Sequence, residues 1–594
     1  MKSVSQNWDL NSLFPGGSSS ESFSSYLILL RSKIQELHAN TVQNRGEADP
    51  QSWANLINLF QEVHVRLRQA SAFVSCLTAQ DVQDQQAQKL GAEVSQLRAE
   101  LGSIANLIEE QTLQLSDAEW EKIIVHPELA AVEFSLNEMR TQARERMSAE
   151  KEMLVNSLSV DGYHAWSELY NSKIVARMSI PMEIDDDVRV MSVGQVANLF
   201  AHADREVRKQ AFSKYEEAWA EQAELCAAAL NHLAGFRLSV YKARGWDSVL
   251  KEPLMINRMS RETLDAMWAA VEGSKSRLKD YLQCKAELLG VDALEWYDVG
   301  APIGKSSRVY SFDEAAQFVI DQFGKFSSDM AQLAEKALTE RWVEAEDRPG
   351  KRPGAFCTSF PESKESRVFM TFSGSADNLF TLAHELGHAY HGSVLRDMPP
   401  MTQRYAMNVA ETASTFAELV VADAAIRAAS TDEERLALLD SKIEQSTAMF
   451  MNIRARFLFE TRFYEMRKKG LLGVDELNAL MEEAQREAYA DSLKSYHPHF
   501  WASKLHFYIT GVPFYNFPYT FGYLLSQGLY ARAQDEGASF AAKYADLLRD
   551  TGRMTVEELV KTHLGEDLTK PEFWEKAVEN SLKDVDEFLV LAGR

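Results

Sequence analysis

The sequence predicts a mainly α-helical protein with one small antiparallel β-sheet, and three observations carry that prediction. Only 15 of the 594 residues are proline, so long stretches run without a helix breaker. Across most of them Ala, Leu, Glu, Gln, Lys and Arg recur with apolar residues three and four apart, the mark of amphipathic helices. The third observation is a change of texture at 346–378, where Gly, Pro and Ser are dense and two short alternating runs appear.

Taken in order, helices are expected over 23–38, 53–77 and 84–112, with breakers PGGSSS (15–20) and HPELA (126–130) among them. No fixed period recurs, which excludes a solenoid. DGYHAWSELY, 161–170, reads as an amphipathic helix whose aromatics pack on a neighbour. Asp185, Asp186 and Asp187 read as a solvated turn before another helical run. From 189 to about 345 the pattern is helical again, interrupted at KEPLMINRMS and VGAPIGKSS. No flexible linker marks a border, so the division expected near 190, into residues 1–190 and 191–594, is soft.

Within the Gly- and Pro-rich segment, 355–360 and 367–372 have strand character, and Val368, Met370 and Phe372 alternate in the second. The polar stretch PESKES between them makes a β-hairpin. Ser375 can cap the next helix, 376–391, which carries Phe380, Leu382, Ala383, Leu386 and Ala389 and is expected to end at Gly392. A further helix is expected over 409–425.

Charge narrows the function classes. There are 63 basic and 87 acidic residues, a formal net of −24. That field repels phosphate backbones and anionic lipid, so no nucleic-acid partner is expected. No apolar run reaches the ~18 residues a bilayer span needs, so no membrane partner is expected either. The N-terminus lacks an apolar signal core. Cys76, Cys226, Cys284 and Cys357 are scattered with no CxxC pair. The expectation is a cytoplasmic protein with reduced thiols.

The helix at 376–391 contains HELGH, 384–388. Residues four apart share a helix face, so His384 and His388 can turn two imidazoles on one ion. Glu385, one residue round, can reach a water there without binding the ion. A catalytic zinc wants a third protein ligand and an open fourth position. A histidine ten residues after the first would serve, but position 394 is Val394. Glu411, 23 residues after His388 in NVAETASTFAELV, is the candidate, since Gly392 and Pro399–Pro400 let the chain fold back. Glu418, two turns further on the same face, is placed to accept a hydrogen bond from a ligand imidazole. His391 lies one turn too far along and is read as a non-ligand.

With HELGH at 384–388 and ETASTFAE at 411–418, the sequence resembles the thimet oligopeptidase and oligoendopeptidase F family of zinc metallopeptidases. WDLNSLFPGG near the N-terminus and HFYITGVPFYNFPYTFGYLLS, 506–526, resemble the oligoendopeptidase F branch. The resemblance implies a multi-helix zincin-type fold with a deep substrate channel, one Zn2+ per chain and short unstructured oligopeptides as substrates. Residues 1–190 would form one channel wall, and 191–594 the other wall and the catalytic floor.

It also implies that His506 and one or two of the tyrosines in 506–526 stabilise the transition state. Tyr515 and Tyr519 are the expected pair. Pro518 favours a helix start that puts Tyr519 and Tyr523 on one face, and Tyr508 and Tyr523 are expected to line the substrate site. His497 and His499 are expected to cap or pack. An extended peptide can add to an exposed sheet edge. The run 367–372 is the natural edge, which makes Arg367 and Phe369 substrate contacts, while Gly354 and Gly374 allow close approach. The leading expectation is a zinc endopeptidase with Glu385 as general base and acid. The alternatives are a zinc exopeptidase, which needs a charged group to fix a peptide terminus, and a non-catalytic helical peptide-binding protein.

Overall fold

A computed structural model of the chain describes residues 4–184, 187–304 and 308–594. Helices account for 72% of it. The three N-terminal helices expected are present as Glu21–Asn44, Pro50–Gln80 and Gln85–Gln114, each longer than its apolar stripe. Side-chain caps explain where they begin. Ser20 accepts from the Phe23 N–H, Asp49 from Ser52 with Pro50 at the first turn, and Asp84 from Ala87.

Two apolar cores follow from the amphipathic patterns. One gathers residues between Trp8 and Leu136 together with Phe360 and Phe369. The other runs from Tyr163 almost to the C-terminus, so the helical stretch around 160–177 packs with the second core. As expected, aromatics of 161–170 turn inward: Tyr163 and Tyr170 are buried.

Strand β1 (Ser179–Ile184) pairs antiparallel with β2 (Asp187–Ser192), a hairpin that the sequence reading did not expect. Its signal was the alternation of Ile180, Met182 and Ile184, which point inward while their neighbours face solvent. Pro181 obscured it, since proline is tolerated only at edges. Asp185 and Asp186 lie outside the described residues, and Asp187 opens β2.

The second sheet contains the expected hairpin, β4 (Phe356–Phe360) with β5 (Glu365–Phe369). A short strand that was not expected, β3 (Val343–Glu344), pairs parallel to β5. The order is β3-β5-β4, so β5 is central and β4 carries the free edge. That corrects the expectation that 367–372 forms the edge. The sheet lies between the two cores: Phe369 belongs to the first and Val368 to the second. Gly374, at φ 94°, lets the chain pass the Tyr310 carbonyl, which a β-carbon there would meet at 2.9 Å.

Candidate metal centre

The helix that follows, Ala376–Leu395, starts where the sequence places it, with the Ser375 hydroxyl accepting from the Asn378 N–H at 3.2 Å. It runs one turn past the stop expected at Gly392. Gly392 is there for packing: a β-carbon on it would come within 2.8 Å of Ser359 Oγ on β4. The edge strand therefore lies directly on this helix.

Opposite it, the chain makes a short turn of helix, Met407–Ala410, then Thr412–Ala428. The expected single helix 409–425 is thus broken at Glu411, whose φ −86° and ψ 1° interrupt the helical geometry. The break falls where the two helices come nearest. A β-carbon on Gly387 would meet the Ala413 carbonyl at 2.6 Å and Ser414 Cα at 2.7 Å. Only glycine allows that approach, and the approach sets Glu411 against the histidines. Gly387→Ala is expected to cost about 1–3 kcal/mol of stability through overpacking, read as a lower midpoint in thermal unfolding. An unchanged midpoint would mean that the helices can part freely.

Among the described residues, His384, His388 and Glu411 are the one group of three with ligand atoms near enough to share an ion. His384 Nε2 and His388 Nε2 lie 3.2 and 3.4 Å from Glu411 Oε2. Three ligands bonded to one tetrahedral ion at ~2.0–2.1 Å stand about 3.3 Å apart. The donor set and its spacing fit zinc. Behind the site, Glu418 Oε2 is 3.1 Å from His384 Nδ1, and the Gln445 amide donates to Glu418 Oε1 at 3.2 Å. That bond leaves Nε2 free to face the ion.

The electrostatics of the group are those of two imidazoles packed against carboxylates. Burial works to lower the His384 pKa, but its bonds to Glu411 and Glu418 carry it up to about 10. Burial likewise opposes ionisation of Glu411, yet the two imidazoles hold its carboxyl well below the usual range. Glu385 is 5% exposed, and its Oε2 has no hydrogen-bond partner among the described residues. Burial pushes its carboxyl upward, against the pull of His388 and His384 and aided by Glu411 and Glu418. A cavity of about 390 Å³ opens against His384, Glu385 and Glu418.

His506, Tyr515 and Tyr519 come together. The His506 ring centroid is 5.5 Å from Tyr515 and 6.1 Å from Tyr519, and the two phenols are 5.8 Å apart. Tyr519 is in the first turn of the helix Phe517–Glu536. That helix crosses the ligand helix at Gly522, where a β-carbon would touch Glu411 Cβ at 3.4 Å and the Asn408 carbonyl at 2.9 Å. Burial first, then Tyr515 and Glu411, raises the Tyr519 pKa, so its hydroxyl keeps its proton. Burial and the nearby Arg456 and Lys504 cations lower His506 to about 4, which leaves a neutral imidazole at neutral pH.

Four expected substrate contacts lie elsewhere. The Arg367 side chain is fully buried and donates to the Asp9 carbonyl at 3.0 and 3.2 Å and to Ser12 Oγ at 3.0 Å. Phe369 is buried between Trp8 and Phe356, with ring distances of 5.7 and 5.2 Å. Both follow from the central position of β5. Tyr508 is buried against Tyr170 at a ring distance of 3.7 Å, because the short turn Leu505–Tyr508 points it inward. The Tyr523 hydroxyl meets Ser446 at 2.7 Å and accepts from Gln527 at 2.9 Å. From Thr520 to Tyr530 that helix is buried on all sides, so the face shared with Tyr519 leads into the core.

The histidines read as structural behave so. His391 is buried, stacked on Tyr405 at 4.3 Å and bonded to Thr551 Oγ1 at 2.9 Å; burial drops its pKa to about 3. His497 and His499 both pair with Glu216. Gly387 and Gly522 are the residues that sequence reasoning missed. A glycine inside a helical pattern was the available signal, since it marks a site of close approach.

The pattern of peptidase family M3 matches residues 198–580, well over half the chain. The chain belongs to peptidase family M3. A second pattern, oligopeptidase F, matches 112–178. The chain is 23% identical over 539 residues to Group B oligopeptidase PepB of Streptococcus agalactiae, covering 89% of this chain and 88% of that one. It is 23% identical over 603 residues to oligopeptidase PepF of Bacillus subtilis, covering 98% and 87%. The crystal structure of oligoendopeptidase-F from Enterococcus faecium shares the fold, with a TM-score of 0.72, 18% identity and coverage of 97% and 99%. Membership of family M3 makes the protein a metallopeptidase that cleaves oligopeptides. Among the described residues, no helix is long and apolar enough to cross a membrane.

Proposed function

We propose that this family M3 member is a zinc-dependent endopeptidase that cuts internal bonds of short, unstructured oligopeptides. The observation that carries the reading is the near-tetrahedral spacing of three ligand atoms beside a buried, unpartnered Glu385 carboxylate oxygen. A zinc ion held by His384, His388 and Glu411, one per chain, would polarise the scissile carbonyl and acidify a water.

Glu385 takes the proton of the attacking water and passes it to the departing amine nitrogen. Its burial, with one carboxylate oxygen unpartnered among the described residues and the cavity opening against it, suits both duties. His506, Tyr515 and Tyr519 are the donors for the oxyanion, and the shifts at His506 and Tyr519 leave each with a proton to donate. Glu418 holds His384 in the tautomer that the ligand role requires. The free edge of β4, where Phe356–Ser359 are half-buried, aligns the peptide backbone along the metal helix. The helices of the first core, up to Leu136, form one wall of the substrate channel, and the second core, from Tyr163 on, supplies the other wall and the floor, which moves the border expected near 190 toward the N-terminus.

Exopeptidase action is a second reading with one observation in its favour. Lys504 and Arg456 stand close enough to lower the His506 pKa, and neither forms an ion pair among the described residues. Burial lowers Lys504 to about 7, but Arg456 stays cationic at neutral pH and can hold the carboxylate of a peptide C-terminus. Mass spectrometry of an eight- to ten-residue peptide blocked at both ends, digested with and without a chelator, separates the two. Internal cuts that vanish with chelator are expected. Cleavage confined to the unblocked peptide, near its C-terminus, would replace the endopeptidase reading.

A further inference from the structure

Tyr515 follows an unusual residue. Among the described residues, Phe514 is the one aromatic with positive φ, 51°, and it is 1% exposed. A bulky side chain does not settle in the left-handed region without something to hold it there. The holder is visible. The Phe514 N–H donates to Glu460 Oε1 at 3.2 Å, from a carboxylate 5% exposed on the helix Ile453–Arg467. The Phe514 ring stacks on Tyr464 of that helix at 5.5 Å.

Other anchors pin the same loop. Arg237 donates to the Ile509 carbonyl at 3.4 Å and to the hydroxyls of Tyr464 and Tyr163, and Tyr163 donates to the Thr510 carbonyl at 3.2 Å. On the far side, Arg456 Nη1 donates to Asn516 Oδ1 at 3.0 Å. Of these contacts, the one from Glu460 grips the backbone N–H of the residue before Tyr515. Released, Phe514 would relax to a common backbone region, and the Tyr515 phenol would swing away from His506.

We propose that Glu460 is a positioning residue of the peptidase reaction, which acts by fixing the left-handed turn at Phe514 and thereby aiming Tyr515. The proposal rests on the reading that Tyr515 stabilises the transition state. Burial pushes the Glu460 carboxyl up to about 8, against the pull of Arg237 and the Phe514 N–H. At neutral pH the group is therefore mostly protonated and serves as a hydrogen-bond acceptor rather than as a charge. An amide oxygen can take its place.

The test measures kcat and KM of the metal-loaded enzyme on a doubly blocked peptide. Glu460→Gln is expected to keep kcat within about 3-fold, while Glu460→Met loses about 30-fold in kcat with KM little changed. Glu460→Asp, which withdraws the acceptor by one methylene, is expected to lose about 10-fold. It carries the test if the methionine variant fails to fold. In a Tyr515→Phe background, Glu460→Asp should cost nothing further, because both changes disable one donor. Full activity of Glu460→Asp, or a loss that adds in full to that of Tyr515→Phe, overturns the brace. An unchanged rate for Tyr515→Phe alone would instead remove the role given to Tyr515, and the proposal with it.

Discussion

Glu385→Gln is expected to lower kcat by about 10³-fold, within the range that a positioned proton carrier supplies, while the protein keeps its fold and its metal. The amide matches the carboxylate in shape but cannot accept the water's proton. Glu385 is also outside the ligand group, since the three mutually close ligand atoms come from His384, His388 and Glu411. Metal content should therefore stay at one equivalent by elemental analysis as turnover collapses. The buried Oε2 has no partner among the described residues, so the substitution breaks no hydrogen bond seen there. Turnover within a few-fold of the parent enzyme would remove Glu385 from the mechanism.

Glu411→Ala is expected to lose metal affinity by more than about 100-fold. Loss of a group behind a ligand already costs 10–100-fold, and in the proposed site Glu411 would bind the ion directly, with one oxygen 3.2 and 3.4 Å from the two imidazole nitrogens. Its neighbour Ser414, which donates to Glu411 Oε2 at 3.0 Å, cannot replace it. Competition against a chelator of known affinity measures the loss, and activity should fall in step. Affinity equal to that of the parent would mean that another side chain supplies the third bond.

Which parts of the centre were legible beforehand follows from the range of each interaction. His384 and His388 share a face because helical spacing places them there, and the Ser375 cap is three residues from the N–H it satisfies. Glu411 needed only a chain break and a second helix. The edge strand was different. Alternation at Val368, Met370 and Phe372 marks faces but does not say which strands lie on either side. The pairing of Val343–Glu344 with β5 turned the expected edge into the middle of a sheet and buried Arg367 and Phe369. Tyr508 and Tyr523 failed for a related reason, since a tyrosine on a helix or turn reads the same whether the neighbouring space is cleft or core.

By itself the sequence determined a mainly helical chain, where its principal helices begin, the two imidazoles on one face, the carboxylate that joins them and the histidine–tyrosine segment beside them. The helices and the imidazole pair depend on periodicity and on contacts within one or two turns of chain, Glu411 on a chain break before a second helix, and the histidine–tyrosine segment on family resemblance. The tertiary structure alone decided that β4 is the open edge, that Gly387 and Gly522 let helices close on Glu411, and that a strained Phe514 held by Glu460 aims Tyr515. Those outcomes depend on backbones meeting across dozens of residues, where a missing β-carbon or one buried acceptor decides the fit and no local pattern records the partner.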